Sequence, residues 1–227
     1  MARRPNFGHE KRQKDIKKKE KRDEKAERKR AKREAGGEDL RVRLTALFAE
    51  GWQIWDRFSV EPREHDFHPF VPADYEVVLA ALLPIRESGG KFLEWGSATG
   101  VISIMADLLG FESFGIELDT ELVATARALA EKFGSGARFA EGSFLPAGYE
   151  WQSSVGDGRL ATIGEGPSGY RELGHHLDEF DVVFAFPWGG EEPMMLDLMR
   201  TYGRADARLF LNTVNDGIKT YQGGRLV

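Results

Sequence analysis

The chain contains no cysteine, which excludes disulfides and every metal site built on thiolates. That composition fits a reducing compartment. No apolar run approaches the roughly 20 residues needed to cross a bilayer, so the expectation is a cytoplasmic protein without membrane contact. The N-terminus carries charge but no apolar stretch behind it, and does not read as a secretory signal. Large apolar residues are scarce at this end: between Lys11 and Glu34 there is only Ile16. A segment of that composition cannot bury a core face.

What that end has instead is charge. Residues 1–34 hold 16 Lys/Arg against 7 Asp/Glu, and the rest of the chain holds 16 against 30. The overall net charge of −5 therefore conceals a basic tail of +9 and an acidic body of −14. Two readings of the tail stay open. Lys, Arg, Glu and Ala favour helix and opposite charges recur at i,i+4, which describes a solvated, partly helical tail. The other is an electrostatic handle for RNA, a ribosome or another polyanion. Interleaved acids, and the lack of aromatics for base stacking, weigh against the handle. Gly36-Gly37 reads as a hinge, giving three parts: a charged tail over 1–37, a helical cap region over 38–90, and an α/β domain over 91–227.

In the cap region Leu44, Leu47, Phe48, Trp52 and Trp55 recur at helical spacing, with an interruption expected near Gly51. A loop follows, in which His65, Asp66 and His68 are metal-ligating residue types. Three ligand types in one short loop are a thin signal, and no metal is expected. Asp74 then caps a helix carrying Val77, Val78, Leu79, Leu82 and Leu83.

Beyond Gly89-Gly90, short apolar runs alternate with amphipathic ones. Strands are expected at Lys91–Trp95, Ser113–Glu117, Arg138–Glu141, Phe180–Phe186 and Ala207–Val214. Helices are expected at Val101–Leu109, at Asp119–Phe133 (Leu122, Val123, Ala126, Leu129, Ala130 and Phe133 on one face) and at Glu192–Tyr202. This alternation predicts a doubly wound parallel sheet. Between Leu145 and Glu179 glycines break the pattern; a long loop is expected there, functional or merely variable, with a short helix at Tyr170–Leu177.

The run Glu94-Trp95-Gly96-Ser97-Ala98-Thr99-Gly100 leaves a buried strand and enters a helix. Small residues there let a ligand approach the backbone at the carboxyl edge of the sheet. The next strand ends in Glu117-Leu118-Asp119, where an acid can accept both hydroxyls of a ribose. In this order and on these elements, the two motifs resemble those of the class I S-adenosylmethionine-dependent methyltransferases. Ala98 stands where that family has its middle glycine. The resemblance covers roughly residues 70–214 and implies a Rossmann-like α/β fold, with a mostly parallel sheet and helices on both faces. Only Gly217–Val227 remain for the family's C-terminal ribbon. They have room for one strand at most, so an abbreviated C-terminal end is expected.

The resemblance implies S-adenosyl-L-methionine as cofactor, held by Glu94, Gly96, Ser97, Ala98, Thr99, Gly100, Glu117, Leu118, Ser143 and Phe144. Glu117 takes the ribose role and Glu94 lies near the cationic methionine end. Ser143 stands where the family often has an acid for adenine; adenine recognition is open between Ser143, Phe144, the backbone and Glu141. The acceptor side falls to Phe186, Pro187 and Trp188 after the fourth strand. Amino-group methyltransferases have a polar residue, Pro-Pro and an aromatic there; here Ala185 and Phe186 replace the first two positions. Pro187-Trp188-Gly189-Gly190 also resembles the trimethylguanosine synthases over four residues, and Phe70–Val78 resembles the lead-in helix of some seven-strand protein-lysine methyltransferases.

Methyl transfer needs no dedicated base. If one exists, Glu191 and Glu192 are placed for it, although first-turn helix carboxylates need no catalytic reason. The expected activity is methyl transfer to an unidentified acceptor: protein lysine, nucleic acid or small molecule. A nicotinamide enzyme would need glycines at positions 98 and 101, which are Ala98 and Val101. The competing class is a non-catalytic adaptor binding RNA or a ribosome through its tail.

Overall fold

The computed structural model describes residues 37–60, 70–150, 166–188, 190–213 and 216–227. The basic tail up to Gly36, the run containing His65, Asp66 and His68, and most of the glycine-broken stretch lie outside the described residues. No group of metal-ligating side chains occurs among the described ones, and none of their helices is long and apolar enough to cross a membrane. The chain divides after Thr45. Of the N-terminal unit, residues 37–45 are described and helical, so Gly37 is a helix residue.

The larger unit, Ala46–Val227, opens with helix α1 at 46–60. Helix α2, Tyr75–Leu82, is capped as expected: the Asp74 carboxylate accepts from the N–H of Glu76 and Val77. The interruption expected at Gly51 does not occur; the helix runs through it. A Cβ at Gly51 would stand 2.8 Å from Val101 Cγ2 and 3.0 Å from the Tyr75 hydroxyl. This glycine lets α1 approach its neighbours rather than breaking it. Tyr75, Val78 and Leu82 face inward, whereas Val77 and Leu83 are exposed, a rotation of the helix that spacing alone did not choose.

The sheet has seven strands in the order β3-β2-β1-β4-β5-β6-β7. Strands β1 (Lys91–Trp95), β2 (Glu112–Glu117), β3 (Arg138–Glu141), β4 (Val182–Ala185) and β5 (Arg208–Thr213) are parallel. The β4 residues are all buried, which explains a continuous apolar run: both faces of the strand are covered. Helix α3 (Val101–Leu109) leads from β1 to β2, α4 (Thr120–Lys132) from β2 to β3, and α6 (Glu192–Tyr202) from β4 to β5. The crossovers run outward in opposite directions from the central pair, so right-handed connections place α3 and α4 on one face and α6 on the other. Leu93, Trp95, Phe114, Ile116, Val183 and Leu209 pack in one core with Met195 and Leu198 of α6. Phe92 and Glu94, alternating with them along β1, face the α3 side.

Two expectations need correction. The short helix after the glycine-broken stretch is a single turn, α5 (Tyr170–Leu173), stopped by Gly174 in the left-handed region (φ 72°), with a separate 3-10 turn at Leu177–Glu179. The C-terminus holds two strands, not one at most. β6 (Gly217–Gln222) pairs antiparallel with β5, and β7 (Arg225–Leu226) with β6. Gly223-Gly224 joins them with φ 56° and 75°. Two consecutive positive φ values make the tight hairpin turn that needs only two residues. What is abbreviated is the connection: three residues separate β5 from β6, too few for a helix.

Candidate functional site

Strand order reverses between β1 and β4, and ligands of such sheets bind beyond the carboxyl ends of the strands at that point. Residues 96–100 lie there. The N–H groups of Gly96 and Ser97 both donate to the Ile116 carbonyl at 2.9 Å, and Gly100 N–H donates to Ser97 O at 2.7 Å. The loop is therefore fastened to the end of β2 before any ligand is considered. Gly96 has φ 68°, is exposed, and an added Cβ would meet nothing within 4 Å. Gly100 is the opposite case: at φ 75°, a Cβ would stand 2.6 Å from the Phe139 ring. One glycine keeps a surface open and the other lets the helix pack. Ala98 has φ 44°, the one non-glycine with positive φ among the described residues. Alanine takes this left-handed conformation at an energetic cost.

Glu117 explains how that cost is borne. Its Oε2 accepts Ala98 N–H at 2.8 Å, and its Oε1 accepts the N–H of Leu118 at 2.8 Å and of Asp119 at 3.0 Å. Burial raises its pKa, opposed by these three donors. A carboxylate has about four acceptor positions, so with three donors bound about one is left.

Glu94 sits elsewhere. It is 5% exposed, and its Oε2 accepts from Ser103 N–H at 2.9 Å and Ser103 Oγ at 2.6 Å. Gly100 provides no side-chain cap for α3, so the strand carboxylate satisfies an amide in that helix's first turn. Burial pushes it up to about 8, against the two Ser103 bonds. Its side chain turns toward the first turn of α3. Ser97 and Thr99 are each 2% exposed, and Ser97 Oγ is buried without a partner among the described residues.

After β3, Ser143 forms an isolated parallel bridge with Ser168. Ser143 N–H donates to Pro167 O at 2.9 Å, and Gly169 N–H to Ser143 O at 2.8 Å. The hydroxyl of Ser143 accepts Leu145 N–H at 3.1 Å. Phe144 is 8% exposed and stacks on Trp95 at 5.3 Å between centroids, so it is part of the core. The backbone N–H of Glu141 donates to the Glu172 carboxylate of α5 at 3.0 Å, and Glu141 itself is exposed. Pro167 and Ser168, which sequence reasoning missed, adjoin this site. A Cβ at Gly166 would lie 3.6 Å from Leu118, and Ser168 Oγ is buried and unpartnered among the described residues. Nothing local announced them, because their pairing partner Ser143 is distant in sequence.

At the fourth strand Ala185 is opposite Trp95, so Phe186 and Gly96 leave the sheet at the same edge. Phe186 and Pro187 are half-buried and Trp188 is 40% exposed. Gly189 lies outside the described residues. Position could not separate the next two acids, but the structure does. Glu192 bonds the Tyr221 hydroxyl at 2.5 Å. Glu191 is 2% exposed, its Oε2 accepts Trp188 N–H at 2.7 Å, and burial pushes its carboxyl up to about 7.

No family model matches the chain. It is 30% identical over 119 residues to the ribosomal protein L11 methyltransferase of Thermus thermophilus, a match covering 50% of this chain and 47% of that protein. The chain thus spans about half the length of the curated relative it matches. Among solved structures it is similar to the precorrin-6y C5,15-methyltransferase of Geobacter metallireducens (18% identity, TM-score 0.43, 67% of this chain and 70% of that one). It is also similar to an RNA methyltransferase of Salinibacter ruber in complex with S-adenosyl-L-homocysteine (18%, 0.43, 63% and 78%).

Proposed function

We propose that this chain, whose domain has the class I S-adenosylmethionine-dependent methyltransferase fold, binds S-adenosylmethionine beyond the carboxyl ends of β1 and β2 and methylates an acceptor presented at the exit of β4. The observation that carries the reading is the joining of the two motifs: Glu117, at the end of β2, holds the Ala98 N–H of the loop that follows β1. The residues present fit the cofactor. Gly96 leaves its side of the loop open where a Cβ would project, Ser97 Oγ is a buried polar atom without a partner among the described residues, and Glu117 retains about one acceptor position for a ribose hydroxyl.

When bound, the cofactor supplies an electrophilic methyl group on a sulfonium. The protein's own part is placement. Gly96 admits the ligand to the backbone, Glu117 orients the nucleoside, and Phe186, Pro187 and Trp188 form the acceptor side. Positioning and exclusion of water account for much of the rate of an in-line displacement. The relative's name carries a protein acceptor; for this chain the acceptor belongs to the proposal.

Calorimetric titration with S-adenosylhomocysteine tests the reading. Saturable micromolar binding is expected. A folded chain that fails to bind it, yet binds RNA in a salt-dependent way, would make the adaptor the better account.

A further inference from the structure

We propose that Glu191 holds the methyl acceptor and that the acceptor presents a primary amine: Oε2 closes the turn that follows β4, and Oε1 receives an N–H of that amine. The inference rests on the methyltransferase reading above and adds the acceptor's chemistry to it.

The turn is closed twice. Trp188 N–H donates to Glu191 Oε2 at 2.7 Å, and Glu191 N–H donates to Trp188 O at 3.1 Å. Glu191 is the residue at the start of α6, yet its side chain does not cap the helix. The carboxylate turns back toward the strand exit. Its second oxygen, Oε1, is buried with no hydrogen-bond partner among the described residues, and the residue is 2% exposed. Leaving a buried carboxylate oxygen unpaired is costly, and the arrangement asks for a donor from outside the fold. The neighbouring Glu192 shows the contrast, since it bonds Tyr221 Oη and faces Lys219 Nζ at 3.9 Å.

Three features select an amine. A cation is the partner that best compensates a buried negative charge. Ala185 ends β4 without a polar side chain, so it adds no side-chain acceptor beside Glu191. Trp188, 40% exposed, stands beside the turn and offers an aromatic surface to a cationic alkyl group. An alkylammonium donates one proton to the Glu191 carboxylate, leaving a neutral amine with its lone pair and a neutral carboxyl that later returns the proton to water. Burial, which pushes this carboxyl up to about 7, brings it nearer the ~10.4 of a lysine-type amine and eases that transfer.

The test is titration of n-butylammonium chloride into the protein saturated with S-adenosylhomocysteine, followed by NMR of the tryptophan indole N–H signals, with n-butanol as the uncharged control. Saturable binding of the amine alone is expected, weakened about tenfold or more in Glu191→Gln. Glutamine keeps an oxygen for Trp188 N–H, so S-adenosylhomocysteine affinity stays unchanged in that variant. Equal amine binding by both proteins overturns the proposal, as does no amine binding, or equal binding of n-butanol, by a wild type that binds S-adenosylhomocysteine. Should Glu191→Gln fail to fold, the amine-against-alcohol comparison in the wild type still decides. Failure of the wild type to bind S-adenosylhomocysteine removes the methyltransferase reading itself.

Discussion

The Glu117 carboxylate accepts the backbone N–H of Ala98 across 2.8 Å, tying the acid at the end of one strand to the least comfortable residue of the loop after its neighbour. The same side chain therefore organises the loop and, in the proposed function, orients the nucleoside. Glu117→Ala should lose both roles and weaken S-adenosylhomocysteine binding by about 100-fold or more, of order 2–3 kcal/mol. Glu117→Gln, which can accept from Ala98 but carries no charge, should fall between. Calorimetry decides, and an unchanged affinity in Glu117→Ala would remove Glu117 from the site.

Ala98 at φ 44° invites the reverse experiment. Left-handed alanine costs roughly 1–2 kcal/mol, while glycine in its place adds unfolded-state entropy worth about 0.5–1 kcal/mol. Ala98→Gly should thus be neutral to about 1 kcal/mol stabilising. Ala98→Val, β-branched in that conformation, should destabilise clearly. Urea denaturation measures both, and a marked loss of stability in Ala98→Gly would contradict the strain.

Gly100 allows no such freedom. A Cβ would lie 2.6 Å from Phe139 and 2.8 Å from the Ala126 methyl, at φ 75°. Overpacking and backbone strain act together, and Gly100→Ala should cost about 3 kcal/mol or more. A melting temperature within a degree or two of the wild type would show that the α3–α4 packing yields more easily than this geometry implies.

Protonation of Glu94 couples stability to pH. Its folded-state value, about 8, lies above the ordinary 4.5 because burial disfavours the charge. Between those values the folded protein binds more protons than the unfolded one, so stability falls as pH rises, by up to about 1.4 kcal/mol per pH unit from this group. Glu191, pushed up to about 7, acts with the same sign over a narrower range. Chemical denaturation from pH 5 to 8 should show a declining midpoint, and Glu94→Gln should flatten much of the decline. A wild-type midpoint that rises across this range would reverse the assignment.

Much of the molecule was legible locally. Helix α3 begins and ends at the residues the pattern predicts, Val101 and Leu109, because Gly110 stops it in the left-handed region (φ 104°). Helix α4 follows Asp119, whose side chain caps it. Strand β4 betrays itself by an unbroken apolar run. The second C-terminal strand was missed although its signal, Gly223-Gly224, was present; β6 is only partly buried, so its residues carry no clean alternation.

The sequence by itself determined the alternation of strands and helices, and the placement of the loop 96–100 and of Glu117 at the carboxyl ends of β1 and β2. Those features depend on neighbours within a few residues: turn conformations, caps and periodicity. Only the tertiary structure decided which acids do what. Glu94 turns to Ser103 because Gly100 leaves the first turn of α3 without a cap. Ser168 pairs with Ser143 although the two are far apart in sequence. Glu191 is enclosed while Glu192 reaches Tyr221, since successive helix positions point about 100° apart and the fold covers only one of those directions. Burial and partnership of a charged side chain are set by segments distant in sequence, and no local pattern carries them.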